Sequence, residues 1–156
     1  MDILFQYFWA PLILMTVIKA FQFKREVQKY LVDKPELEEL QNTFFKNILL
    51  FGNIPWLIMM MGSLSGEFKS PFDVFEPNDG NPFVISYHLS ILVIWIFLAR
   101  WIYFKGGAET LEKHPELVKS ISSKHDHIKA KRIKLFFPVT ILGILSGFLH
   151  QWFDFL

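Results

Sequence analysis

The chain has 156 residues, 52% of them hydrophobic and 20% charged, with 18 Phe and a mean hydropathy of +0.30. Soluble domains carry about a quarter charged residues, so this composition argues against an ordinary soluble domain. The absence of Cys excludes disulfide scaffolds, thiol catalysis and Cys-ligated zinc or iron–sulfur centres, and a net charge of +1 argues against a nucleic-acid partner.

Residues 3–18, 47–66, 80–99 and 135–153 contain no Asp, Glu, Lys or Arg. A helix on the surface of a soluble bundle shows a charge every three or four residues. A helix that crosses a bilayer instead needs about 20 apolar residues in a row. The pattern predicts an all-α polytopic membrane protein: a single four-helix membrane domain over residues 1–156, with four transmembrane helices at about 3–32, 35–65, 84–112 and 115–153.

The first window opens Met1-Asp2, without a basic n-region or a small-residue cleavage site, and reads as a retained helix. It extends to Phe23 if Lys19 snorkels toward the headgroups. Pro35 and Pro115, each followed by Glu and Leu, have the signature of a helix start, because proline lacks only an N–H that the first turn does not use. Pro55 and Pro138 predict kinks inside the second and fourth helices, and Gly106-Gly107 predicts a break soon after the third leaves the membrane. Between the second and third helices, residues 67–82 are rich in Pro, Asn, Asp and Gly and read as a loop.

Residues 24–46 carry five basic and five acidic groups, and residues 105–134 carry eight basic and four acidic. The middle loop has Lys69 against Glu67, Asp73, Glu76 and Asp79. Counting Lys and Arg, the first and third connections are expected in the cytoplasm, with the middle loop and both termini outside. Tyr7, Trp9, Tyr87, Trp101, Tyr103 and Trp152 fall near span ends, as interfacial aromatics do. Residues 124–134 are expected to meet anionic headgroups. Without an organellar targeting segment, the expected location is the bacterial cytoplasmic (inner) membrane.

At an offset of 81 residues the two halves align. Gly62-Ser63-Leu64-Ser65-Gly66 meets Gly143-Ile144-Leu145-Ser146-Gly147, Phe72-Asp73 meets Phe153-Asp154, and Lys19 meets Arg100. This predicts internal repeats at about 1–75 and 82–156. They form two parallel-repeat helical hairpins whose helices extend into the cytoplasm.

Gly62, Gly66, Gly143 and Gly147 form small-xxx-small steps that let helices pack closely, within the chain or as a homodimer seam, with packing inside the chain ranked first. His88 and His150 sit at similar depth near the outer boundary. They are the candidate cofactor-binding pair, for haem, a metal or a quinone headgroup, against the plainer reading of interfacial histidines bonded to water or backbone. Asp73 and Asp154 form a candidate outer acidic pair, ranked behind a repeated helix-end signal. Ser65 and Ser146 read as helix glue. His125 and His127 point to different helix faces and read as a solvated surface rather than a metal site. Asn53 is the clearest strongly polar residue away from the span ends.

In length and span number the chain resembles the microsomal glutathione transferase type. Of that family's Arg, Asn and Glu signature entering the second helix, the stretch Glu38-Glu39-Leu40-Gln41-Asn42-Thr43-Phe44-Phe45-Lys46 matches at Asn42 alone, so the likeness stops at layout. With no catalytic constellation, the leading expectation is a non-enzymatic integral protein that works through assembly, as a subunit of a membrane complex or a homo-oligomer. The alternatives are a small parallel-repeat transporter or channel, and an outer-leaflet redox or metal protein using His88 and His150.

Overall fold

Proline and glycine divide this chain into helices, and the divisions fall where backbone hydrogen bonding fails. The computed structural model describes residues 6–68, 70, 72–75, 80–119 and 129–153, and among them all regular structure is helical. In chain order the helices are α1 (Trp9–Gln28), α2 (Leu37–Phe51), α3 (Ile54–Leu64), a 3-10 turn (Asp73–Phe75), α4 (Pro82–Phe104), α5 (Gly107–Lys113), α6 (Glu116–Lys119) and α7 (Ala130–Phe153).

The expected helix over 35–65 begins at Leu37 and is broken rather than merely kinked. Pro55 has no N–H to offer the carbonyl of Phe51. Two residues earlier the Asn53 N–H has already switched to Leu50 O, at 3.2 Å. The carbonyl of Leu49, passed over by that switch, accepts instead from Asn53 Nδ2 at 2.8 Å. The two pieces still run on as one apolar stretch, Leu37–Leu64, of 28 residues.

The third expected helix starts at Pro82, with the Asn81 side chain accepting from the Phe83 N–H at 2.9 Å as its cap. It ends at Phe104, before the expected 112. Gly106 takes φ +70°, a conformation that glycine adopts without a Cβ penalty, and α5 restarts beyond it. The fourth expected helix, 115–153, is divided into α6 and α7, and residues 120–128 lie outside the described residues. Pro138 sits inside α7 and cannot donate to Lys134 O. The Tyr103 hydroxyl, reaching across from α4, donates to that carbonyl at 2.6 Å.

Aromatic side chains hold the helices together. Phe23 stacks on Phe44 between α1 and α2 with centroids 6.0 Å apart, Phe44 meets Trp101 edge-on at 5.5 Å, Trp56 faces Tyr87 between α3 and α4, and Phe137 of α7 touches both Trp95 and Tyr103. On α1 only Ala20, Phe23 and Val27, spaced three and four apart, are buried. Leu14, Met15, Ile18 and Phe21 point outward, as do Leu89, Leu92, Val93, Ile96 and Phe97 of α4 and Leu135, Phe136, Val139 and Leu142 of α7. The molecule is therefore apolar outside as well as inside. Two stretches, Leu37–Leu64 and Pro82–Phe104, are long and apolar enough to cross a membrane.

Polar bonds gather at the two ends. At one end Lys34 pairs with Glu116, and Glu109 with Lys134, so the charged connections that follow α1 and α4 lie together. At the other end Ser63 Oγ donates to Gln6 O at 2.7 Å, and Asn81 Nδ2 donates to Glu67 O at 3.1 Å.

Candidate functional site

At the end formed by residues 62–68 and 80–88, α3 closes with a Schellman motif. Gly66 adopts φ +78°, its N–H reaches Ser63 O at 3.2 Å, and the Glu67 N–H reaches Gly62 O at 3.1 Å. Gly66 is thus a helix terminator. Gly62 is a packing position: a Cβ there would lie 2.8 Å from the Phe68 ring and 3.0 Å from Phe83 Cβ. Gly143 differs from both, because no atom of the described residues lies within 4 Å of where its Cβ would stand. Gly147 continues the same helix, α7.

Phe68 anchors the loop in a core of Met59, Val74 and Val84. His88 completes the attachment. Its side chain is buried, 8% exposed, and Nε2 donates to the Val74 carbonyl at 2.9 Å. That bond fixes the proton on Nε2, so any metal or haem iron would have to be met at Nδ1. Tyr87 packs beside the imidazole and against Trp56. Asp73 opens the 3-10 turn, and its Oδ2 accepts the Ser70 N–H at 3.0 Å. His150 lies on α7 with its side chain outside the described residues, as do Asp154, His125 and His127 entirely. Among the described residues no three His, Asp or Glu side chains converge to hold a metal ion.

The opposite end holds a cluster that spacing did not reveal. α6 packs Leu117 against Phe23 and Val27, which brings Glu116 to Lys34. The carboxylate accepts from Lys34 Nζ through Oε1. Glu116 is 8% exposed and His114 6%, and among the described residues neither Glu116 Oε2 nor His114 Nδ1 has a hydrogen-bond partner. Burial pushes the Glu116 carboxyl up, but the Lys34 hydrogen bond, its backbone hydrogen bond and the charges of Lys34 and His114 together hold it below the ordinary carboxylate value. The same hydrogen bond raises Lys34 above the ordinary lysine value. Nearby, Lys134 Nζ and Glu109 Oε1 lie 2.5 Å apart, an exposed pair that lowers Glu109, and Glu112 Oε2 accepts the Ala130 N–H at 3.1 Å to cap α7.

The hydroxyls of Thr16, Ser63, Ser65, Ser90, Thr140 and Ser146 each donate to a backbone carbonyl, the arrangement of helix glue rather than of activated nucleophiles. In the middle of the bundle Asn53 leaves one buried acceptor, Oδ1, without a donor among the described residues. The described side chains therefore supply fastening at both ends and apolar contact between. No protein family, curated protein or solved structure matches the chain.

Proposed function

We propose that the chain is a small integral membrane protein that crosses the bilayer four times, as two parallel helical hairpins, and works through assembly as a subunit of a membrane complex or as a homo-oligomer. The observation that carries this reading is α4. It is 23 residues long with Arg100 as its one formal charge, yet only 11% of its apolar window is buried inside the protein. A core helix of a soluble protein would be mostly buried. The outward stripe of Leu89, Leu92, Val93, Ile96 and Phe97 needs an apolar solvent, and lipid supplies one. The matching outward faces of α1 and α7 support four crossings.

Orientation follows from the basic excess of the end that carries residues 24–46 and 105–134, which belongs in the cytoplasm. Assembly is supported by α7, where Gly143 offers a backbone that another helix can approach closely. Because the chain lacks Cys, single cysteines report topology on a clean background. In sealed cells Phe72→Cys should react with an impermeant maleimide and Val32→Cys should not. Equal labelling of the two would remove the four-span topology. The detergent-solubilised protein should run as several chains or with a stoichiometric partner, and a bare monomer would remove the assembly reading.

A further inference from the structure

The end of α4 and the start of α7 form a corner where cations sit directly beneath lipid-facing apolar stripes. Tyr103 and Phe137 hold the two helices together there. On α7, Lys131 stands one turn before Leu135, and Arg132 one turn before Phe136, with Val139 continuing that stripe. On α4, Arg100 stands one turn before Phe104, which is 82% exposed, and Lys105 follows. Arg100, Lys105, Lys129, Lys131 and Arg132 are all exposed. Among the described residues none of them pairs with a carboxylate, whereas Lys29, Lys34 and Lys134 each do. The nearby acids are already engaged: Glu109 with Lys134, Glu112 with the α7 N-terminus and Glu116 with Lys34.

From this placement we infer that the corner is a binding site for an anionic phospholipid. Its phosphate would lie among Arg100, Lys105, Lys131 and Arg132, and its acyl chains along Phe104, Leu135, Phe136 and Val139. The inference rests on the membrane reading above and adds to it a particular headgroup charge and a particular corner. Cations at the cytoplasmic boundary draw anionic headgroups, and long basic side chains reach the phosphate while their stems lie on apolar neighbours. A zwitterionic lipid fits the same apolar stripe, but its ammonium meets four like charges.

The test uses the full chain in a mild detergent, titrated with phosphatidylglycerol, phosphatidylcholine or inorganic phosphate and read by native mass spectrometry. The wild type should retain phosphatidylglycerol in preference to phosphatidylcholine. Lys131→Gln with Arg132→Gln should weaken that retention by roughly 30-fold, taking the usual contribution of each cation near an anionic surface. Lys29→Gln, whose lysine is paired with Glu26 and lies on α1's side of the molecule, should leave it unchanged. Equal retention of both lipids, or binding of inorganic phosphate with no lipid preference, would overturn the site. Neither result touches the membrane reading, which fails separately if the protein stays monodisperse in water without detergent.

Discussion

Removing the Tyr103 hydroxyl tests the account of α7 most directly. Pro138 denies Lys134 O its helical donor, and Tyr103 OH replaces it at 2.6 Å. A typical hydrogen bond contributes about 0.5–1.5 kcal/mol, and a partly buried acceptor left empty costs about 1–3 kcal/mol. Lys134 is half-buried, so Tyr103→Phe should destabilise by about 1–2 kcal/mol. In a Pro138→Ala background the N–H restored at position 138 can serve Lys134 O, and the same Tyr103→Phe change should cost under about 0.5 kcal/mol. The coupling, about 1 kcal/mol, lies within the range found for groups that share one acceptor. Reversible unfolding in mixed micelles, followed by tryptophan fluorescence, measures all four corners of the cycle. An equal cost of Tyr103→Phe in both backgrounds would refute the claim that the hydroxyl answers the proline.

The glycines should separate in the same assay. Gly62→Ala presses on the Phe68 ring and should lower stability by about 1 kcal/mol net, whereas Gly143→Ala meets nothing among the described residues and should raise it by up to about 1 kcal/mol; the reverse order would contradict the packing described. His88→Leu leaves the buried Val74 carbonyl without its donor and should cost about 1–3 kcal/mol, while His88→Gln retains a donor and should cost less; equal losses would show that the bond contributes nothing. The Lys34–Glu116 pair predicts a pH window. Glu116 is depressed below 4.5, so its contribution is complete above that value and lost as pH falls through the lower folded value; Lys34 is raised above 10.5, so its contribution is complete below that value and lost as pH rises through the higher one. Lys34→Gln should therefore differ most from wild type between those limits, and a difference that is flat from acid to alkali would dismiss the pair.

Much of the framework was legible in charge spacing. Each charge-free window contains helix, and the break at Gly106 and the departure from regular helix at Pro55 fall where missing donors and missing Cβ atoms put them. The two charged connections do meet at one end. What spacing hid was which residue answers each missing bond. Tyr103 reads as an interfacial aromatic until Pro138 is seen opposite it, and Lys34 and Glu116 are 82 positions apart. The small-xxx-small pattern treated Gly62 and Gly66 alike. One lies on a packed face and the other past the helix end, because the Schellman turn falls between them. The histidine pair was the least legible feature, since equal depth carries no information about rotation around a helix axis.

In the bilayer proposed above, apolar helices have no hydrophobic reason to prefer one another over the solvent, so register must come from close packing and from a few polar bonds. Here the polar bonds stand at the ends. Ser63 to Gln6 ties α3 to the start of α1, His88 to Val74 ties α4 to its preceding loop, and Lys34 to Glu116 ties the α1–α2 connection to the segment after α4. Between them the contacts are aromatic, most of them edge-on or tilted. A shift of one residue along α3 or α4 would break the bond that ties it and leave the Gln6 or Val74 carbonyl without that donor, at about 1–3 kcal/mol. Fastening of that kind selects one alignment, because each bond contributes little in net stability but costs more when one partner is left without the other. It also leaves the outward faces free of polar obligations, so that lipid, or another helix, can cover them without competing for a bond the bundle needs.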